Sequence, residues 1–293
     1  MISMTSISAE ELSKFLLVPQ NGMESQVAQV AHRLAMIDAW GGIANESRVL
    51  ELGCGQGDCT VAIAHAVGKN GYVDAVDPAP PGYGSPYTVG EAHEHLSTTD
   101  LGPRINWIQA DPLQVLPSTS TSPKYDIAIL AHCLWYFSSV SVIHETFRRL
   151  DTHCKQIYVA EWALSSSHPA AEPHVLSALT QASLECRKPE SQSNVRTVVS
   201  PAAIKKLAEE AGLKFVREGY ISPKEGLLDG RWEVGSVASA GFVKEVEDIV
   251  KDERERSVIF ALRDSMLRSL ECVEGGRKGV RSMDVWCAVF EKA

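Results

Sequence analysis

Residues 51–57 read Glu-Leu-Gly-Cys-Gly-Gln-Gly, and the chain changes character on either side of them. The run before these glycines, from Ser47 to Leu52, is rich in leucine and predicts a short buried strand. The alanine-rich run after them, from Thr60 to Val67, predicts a helix. Glycine tolerates positive φ and lets the backbone approach a ligand, and a helix N-terminus offers unpaired amide groups. The sequence therefore predicts a ligand-binding turn between a strand and a helix.

A second strand, from Tyr72 to Asp77, completes a strand–helix–strand unit, which implies parallel strands joined by a right-handed crossover. The alternation continues along most of the chain. Further strands are predicted at 105–109, 125–131, 156–162, 215–221 and 284–290. Helices are predicted at 24–40, 89–97, 140–150, 173–186 and 201–211. We therefore predict an α/β fold with a doubly wound, seven-stranded, mostly parallel sheet.

The composition is that of an ordinary globular protein, with 44% hydrophobic and 22% charged residues. A net charge of −9 argues against nucleic acid or an anionic membrane as the partner. The chain contains no uncharged apolar run long enough to predict a transmembrane helix. Met1 to Glu11 lacks the basic and apolar segments of a signal peptide, and the seven cysteines are scattered without a CxxC pair. We therefore expect a cytoplasmic protein without disulfide bonds.

The glycine spacing distinguishes between classes of ligand. A dinucleotide fingerprint needs G-x-G-x-x-G, but its third glycine position is occupied by Asp58, and the chain has no phosphate-binding P-loop. A nicotinamide oxidoreductase is therefore not expected. The run instead resembles motif I of class I S-adenosylmethionine-dependent methyltransferases, an acidic residue followed by G-x-G-x-G. That motif is met by Glu51, Gly53, Gly55 and Gly57.

The resemblance covers about residues 45–222 and 283–291. It implies a Rossmann-like methyltransferase fold and S-adenosylmethionine as the cofactor. It assigns Asp77 to the ribose hydroxyls, although an Asp-Pro turn is the alternative, and Asp111 to the adenine amino group. It places the segment after the fourth strand beside the methionine end, where aromatic rings suit a sulfonium cation. The cofactor contacts predicted in this way are Glu51, Gly53, Cys54, Gly55, Gly57, Asp77, Pro78, Asp111, Pro112, Leu113, Ala131 and Tyr136.

We interpret residues 1–293 as one methyltransferase domain with an N-terminal helical cap at 1–44. Residues 45–164 form the cofactor-binding half. Long helical stretches interrupt the alternation at 165–200 and 223–282, and insertions of this kind usually cover the carboxyl ends of the strands. They are predicted to be lids, although helices packed away from any site are the alternative. Residues 201–222 and 283–293 supply the final helix and strands.

Methyl transfer needs in-line approach of a nucleophile and, for a neutral hydroxyl or an acid, a general base. His132 and Glu161, at the ends of two strands, are the predicted catalytic residues, although His132 also fits a substrate contact or a structural histidine. His168 and His174 are expected to be exposed, as is Arg196. No metal site is predicted: the histidines lack H-E-x-x-H spacing, and in His93-Glu94-His95 they are two residues apart.

The predicted function is methyl transfer to an oxygen, nitrogen or sulfur atom of a small organic molecule, with secondary metabolites among the candidates. The alternative is a protein that binds S-adenosylmethionine without transferring its methyl group. Such a protein would be regulatory, or would use the sulfonium to promote a rearrangement or cyclisation. The predicted partner is a small molecule, with neither nucleic acid nor membrane, and the N-terminal helices leave a homodimer open.

Overall fold

Seven strands form one mixed sheet in a computed structural model that describes residues 7–19, 21–118, 124–191, 193 and 195–292. The strands are β1 Arg48–Leu52, β2 Tyr72–Asp77, β3 Ile105–Gln109, β4 Tyr125–Ala131, β5 Cys154–Trp162, β6 Leu213–Ile221 and β7 Val285–Lys292. Their order is β3-β2-β1-β4-β5-β7-β6. All neighbouring strands are parallel except β7, which is antiparallel to both β5 and β6. The predicted doubly wound, mostly parallel sheet is therefore confirmed.

Helices connect the strands and extend beyond the sheet. They are α1 Ala9–Ser13, α2 Met23–Trp40, α3 Asp58–Ala66, α4 Val89–Ser97, α5 Pro112–Val115, α6 Val140–His153, α7 Glu172–Glu185, α8 Pro201–Glu210, α9 Asp229–Ala238, α10 Ala240–Ile249 and α11 Glu253–Glu271. The predicted elements are present and differ at their ends by a few residues. Gly41, with φ of 90°, ends α2 in the left-handed region that glycine favours, as the paired glycines at 41 and 42 predict.

The sheet is buried on both faces because its central strands carry continuous apolar runs. One core contains Leu50, Leu130 and Val159 with helices α6 and α8, and the other contains Val49, Ile129 and the apolar side of α2. Trp40 anchors α2 to the sheet, since its indole Nε1 donates a hydrogen bond of 3.0 Å to the carbonyl of Val159. This anchor fixes where the rest of α2 lies over the sheet.

The two predicted insertions pack against each other. Helices α7, α9, α10 and α11 share a separate apolar cluster that includes Leu184, Val234, Val246, Ile259 and Met266. A shared core lets these helices pack as one unit. Within the described ranges, no helix is long and apolar enough to cross a membrane. All seven cysteines are free, and Met1 to Ser6, part of the segment considered for a signal peptide, lie outside the described residues.

Candidate active site

The predicted ligand residues meet at one edge of the sheet. The strand order reverses between β1 and β4, and ligands of open α/β sheets bind at such a switch point, beyond the carboxyl ends of the strands. The glycine turn follows β1, Asp77 ends β2, Asp111 follows β3, and Ala131 ends β4. Glu161 lies near the end of β5, the next strand. The structure therefore brings together residues that are more than 100 positions apart in sequence.

The three glycines of the turn serve different purposes. All have positive φ: 78° at Gly53, 51° at Gly55 and 97° at Gly57. A Cβ at Gly53 would lie 2.5 Å from the Cβ of Cys133, and one at Gly57 would lie 2.7 Å from Leu96 Cδ1, so both are required by packing. A Cβ at Gly55 would meet nothing within 4 Å. The open space above Gly55 is therefore where the backbone of the turn can approach a ligand.

Two side chains hold Gly55 in place. The Asp77 carboxylate accepts hydrogen bonds of 2.8 Å from the backbone N–H groups of Gly55 and Ala79. The His93 imidazole donates through Nε2 to the carbonyl of Gly55 at 2.8 Å, and its ring stacks on Trp107 at 3.7 Å between centroids. Burial lowers the pKa of His93, which favours the neutral ring. His93, considered in the sequence only as a metal ligand, thus supports the glycine turn.

The acidic residue of the motif lies beneath the turn. Glu51 is 1% exposed, and its carboxylate accepts a hydrogen bond of 2.6 Å from the hydroxyl of Thr60 in α3. Burial raises the pKa of Glu51 to about 7. Cys54 is buried too, and its backbone N–H donates to the carbonyl of Val76 at 3.1 Å. These contacts fix the turn against α3 and β2. The cofactor contacts predicted for Glu51 and Cys54 stay a prediction.

The residues predicted for the adenosine end are more exposed. Asp111 caps α5, since its carboxylate accepts a hydrogen bond of 2.8 Å from the backbone N–H of Leu113. Pro112 is buried beside it, and Pro78 is exposed. Because a carboxylate has further acceptor sites, the cap leaves Asp111 able to accept from a ligand amino group. Its role at adenine stays a prediction, as does the role of Asp77 at ribose.

We expect Asp77→Ala to weaken S-adenosylmethionine binding by about 1–3 kcal/mol, because it removes an acceptor for ligand hydroxyls and an anchor of Gly55. Titration calorimetry would measure the change in Kd. The control is Asp100→Ala, which replaces an exposed aspartate outside the site. An Asp77→Ala protein that binds as tightly as the unaltered chain would restore the simple turn interpretation of this residue.

A small cavity of about 30 Å³ lies beyond β4 and β5. Aromatic rings, histidines and acids share its lining: His132, Trp135, Tyr136, Glu161, Trp162, His174, Ala178, Val195, Asp229 and Glu233. A larger open depression of about 850 Å³ lies at the opposite edge, beside residues that begin the strands, such as Lys155. We place the active site at the smaller cavity, because ligands bind at the carboxyl ends of parallel strands.

His132 lines this cavity and has a strained backbone conformation. Its φ of 54° lies in the left-handed region, which is uncommon for residues other than glycine and is found preferentially at functional sites. Its backbone N–H donates to the carbonyl of Ala160 at 2.8 Å, so the strand pairing continues to this residue. The imidazole packs against Trp162, with 4.3 Å between ring centroids. The strand end therefore directs this side chain at the cavity.

A chain of three titratable groups runs along the cavity wall. The Nε2 atoms of His132 and His32 are 3.0 Å apart, and His132 Nδ1 lies 3.6 Å from Glu161 Oε1. The Nδ1 atom is buried and has no hydrogen-bond partner within the described chain. Burial lowers the pKa of both histidines well below the ordinary value, and raises the pKa of Glu161 to about 7. Glu161 therefore combines the cavity position and the pKa that suit a proton acceptor.

Of the other histidines and the arginine considered in the sequence, one is buried in the cavity lining and two are exposed. The prediction that His174 is exposed is wrong: it is 1% exposed, lines the cavity and accepts a hydrogen bond of 2.9 Å from the backbone N–H of Met283. The apolar sequence around it, which places α7 against the sheet, explains the burial. His168 is exposed and caps a short 3₁₀ turn, and Arg196 is exposed. Across the described ranges, no cluster of three potential metal ligands is found.

Several residues of the site were missed in the sequence. His32 and Arg33 come from α2, and Asp229 and Glu233 come from α9. The spacing of polar residues could have indicated them: Gln26, Gln29 and His32 are spaced by three on one side of α2, and the two acids are spaced by four on α9. Gln26 donates to Asp58 at 2.7 Å and Gln29 to Asp229 at 3.3 Å. Helix α2 thus connects the start of α3, which follows the glycine turn, with α9.

Comparison with known proteins accords with this geometry. Residues 20–218 match the methyltransferase domain family. The chain belongs to that family. It is a class I S-adenosylmethionine-dependent methyltransferase, as the glycine turn predicts.

Individual relatives are similar along most of the chain. The methyltransferase phomM of Diaporthe leptostromiformis is 28% identical over 282 residues, which cover 83% of this chain and 73% of the relative. The crystal structure of a cyclopropane-fatty-acyl-phospholipid synthase-like protein from Lactobacillus casei has a TM-score of 0.82 at 25% identity, and covers 97% of this chain and 98% of its own. A geranyl diphosphate methyltransferase solved with S-adenosylmethionine has a TM-score of 0.50 at 11% identity and shares the fold, with coverage of 90% and 85%.

The residues of the turn fit the cofactor of this methyltransferase. Gly55 has free space above it, and Gly57 begins α3 without a side-chain hydrogen bond, which leaves amide donors for a carboxylate. Glu51 and Asp77 fix the shape of the turn from below and beside it. When bound, S-adenosylmethionine supplies an electrophilic methyl group carried on a positively charged sulfur.

Proposed function

We propose that this methyltransferase transfers the methyl group to an oxygen, nitrogen or sulfur atom of a small organic molecule. The observation that carries the proposal is the small aromatic cavity at the same edge of the sheet as the glycine turn. The rings of Trp135, Tyr136 and Trp162 provide apolar walls, which suit an organic group better than a polymer. The net charge of −9 adds to this argument, since nucleic-acid partners favour basic surfaces.

We assign His132 and Glu161 to proton removal. A nucleophile that carries a proton must lose it, and a group with a pKa near 7 accepts it most effectively at neutral pH. The Glu161 carboxylate has that pKa, and neutral His132 lies beside it in the cavity lining, with Nδ1 3.6 Å from Oε1 of Glu161. The two would also fix the nucleophile for in-line approach to the methyl carbon.

We assign α7 and α9–α11 to a lid. Residues of α7 and α9 form one wall of the cavity, and residues at the ends of β4 and β5 form the other. Helices α10 and α11 pack behind α7 and α9. Because the cavity is small, substrate entry requires this wall to move, and closure would then exclude water from the reaction. A homodimer, and a reducing compartment such as the cytoplasm, are part of the same proposal; the seven free thiols favour the latter.

Incubation with S-adenosylmethionine labelled at the methyl group tests the proposed function. Acceptors that carry a hydroxyl, an amine or a thiol would be supplied in parallel, and labelled product would be separated by chromatography. We expect transfer to a small acceptor, with one S-adenosylhomocysteine formed for each methyl group transferred. Tight cofactor binding with no transfer to any acceptor would favour the alternative, a protein that uses the cofactor without methylation.

A further inference from the structure

Two acids of the lid face the cavity without a positively charged partner. Asp229 and Glu233 are four residues apart, on the same face of α9, where like charges repel. The amide Nε2 of Gln29 donates to Asp229 at 3.3 Å, and the amide of Gln181 donates to Glu233. Neither acid forms a salt bridge within the described part of the chain. Two carboxylates enclosed in this way are costly unless a cation joins them.

Glu161 adds a third carboxylate to the same cavity. Its oxygens accept hydrogen bonds from the backbone N–H groups of Leu134 at 3.1 Å and Trp162 at 2.9 Å. Burial raises the pKa of both Glu161 and Asp229, and the positive charge of Arg33 opposes that rise only in part. Among the described residues Arg33 forms no salt bridge with either acid. Burial keeps His132 and His174 neutral, so neither histidine supplies a positive charge to these three acids. A bound cation would favour the ionised carboxylates that burial alone disfavours.

Aromatic rings complete the lining. Trp135, Tyr136 and Trp162 face the cavity together with the acids, and aromatic faces attract cations. The Nδ1 atom of His132 lies on the same wall, 3.6 Å from Glu161 Oε1, and this buried polar atom forms no hydrogen bond within the described residues. A cavity of about 30 Å³ accommodates a head group of a few atoms, with the remainder of a substrate outside it.

We propose that the acceptor is an amine, which enters as its ammonium form and is recognised by Asp229, Glu233 and the aromatic rings. This inference rests on the proposed methyl transfer and names its acceptor. A phenolate, thiolate or carboxylate would be repelled by three acids. An alcohol or alkene offers too few N–H or O–H groups and would leave carboxylates unpaired.

Methylation of an amine also requires the proton acceptor formed by Glu161 and His132, because an ammonium must lose a proton before it can react. The bound ammonium gives up one proton to the Glu161–His132 pair, which leaves a neutral amine with a free lone pair. The nitrogen then forms a bond to the methyl carbon as the carbon–sulfur bond breaks, with its electron pair left on sulfur. The product is a methylated ammonium, and the proton on the acceptor pair is released to solvent.

Binding to protein loaded with S-adenosylhomocysteine tests this inference without a reaction. The probes are 2-phenylethylamine, 2-phenylethanol and 2-phenylethanethiol, which share one carbon skeleton and differ in the head group. We expect titration calorimetry to give a Kd for the amine at least tenfold below those of the alcohol and the thiol. Equal affinities, or no detectable binding of the amine, would overturn the inference.

Matched variants locate the selectivity. Asp229→Asn and Glu233→Gln keep the shape of each side chain, and we expect each to weaken amine binding tenfold or more while alcohol binding is unchanged. Asp248→Asn, at an exposed acid of the neighbouring helix α10, is the control and should bind the amine normally. Unchanged amine affinity in both cavity variants would overturn the proposal.

Two further measurements separate the outcomes. Thermal melting followed by circular dichroism identifies a variant that fails to fold. If one of the two cavity variants is unfolded, the amine affinity of the other decides the test. Loss of S-adenosylhomocysteine binding in the unaltered protein would contradict the proposed methyl transfer itself. Retained binding of that product with no preference for the amine would contradict this inference alone.

Discussion

Gly55→Val should reduce the affinity for S-adenosylmethionine at least about 100-fold, which corresponds to about 2.8 kcal/mol. The valine side chain would occupy the open space above the turn, where a Cβ meets no protein atom within 4 Å. That space belongs to the cofactor if the turn binds it, so the ligand and the side chain exclude each other. Titration calorimetry with S-adenosylmethionine and with S-adenosylhomocysteine would measure the loss.

Gly276→Val is the matched control for backbone strain. Gly276 has φ of 58°, close to the 51° of Gly55, and a Cβ there also meets nothing within 4 Å. Both variants force valine into the left-handed region and should destabilise the fold to a similar extent. Cofactor binding should be lost in Gly55→Val and kept in Gly276→Val. Retained affinity in a folded Gly55→Val protein would remove the glycine turn from the binding site.

The sheet could be predicted from the sequence because each strand has a recognisable local pattern of residues. A strand buried on both faces is almost entirely apolar, as the run at Tyr125–Ala131 is. This run, Tyr72–Asp77 and Ile105–Gln109 were all predicted with the ends that the structure gives them. The turn at residues 51–57 was equally local, since positive φ and close packing both require glycine. The strands and the turn are determined by residues that are close together in the sequence, so the sequence alone is enough to predict them.

The cavity could not be predicted in full because its lining comes from distant helices. Asp229 and Glu233 read as two acids of an amphipathic helix, and only the packing of α9 against α7 turns them inward. His174 was expected at the surface, but α7 carries it against the sheet, where it meets Met283. His32 lies on a helix that the sequence predicts, but nothing local indicates its contact with His132. Such contacts are set by tertiary packing.

Glu161→Gln should lower kcat by about 10²–10⁴-fold, the usual contribution of a general base, and remove a pH dependence near neutrality. Burial raises the pKa of Glu161 to about 7, and a base acts only when it is deprotonated. In the unaltered enzyme kcat/KM should therefore be low below this pKa, rise through about pH 7 and then level off. The profile would be measured from S-adenosylhomocysteine formation with the best acceptor.

The pH profile separates a proton acceptor from a structural carboxylate. The Glu161 carboxylate also accepts hydrogen bonds from the backbone N–H groups of Leu134 and Trp162. A glutamine at this position can therefore lower activity simply by disturbing the turn after β4. Such a disturbance would lower kcat/KM by the same factor at every pH, whereas loss of the base would remove the rise of kcat/KM near pH 7. Asp74→Asn is the control, because Asp74 is a buried acid that instead binds the hydroxyl of Tyr125 at 2.6 Å. It should lower Tm and leave the rise intact. If Glu161→Gln keeps the rise as well, Glu161 is a structural residue, and proton removal falls to His132 or to the solvent.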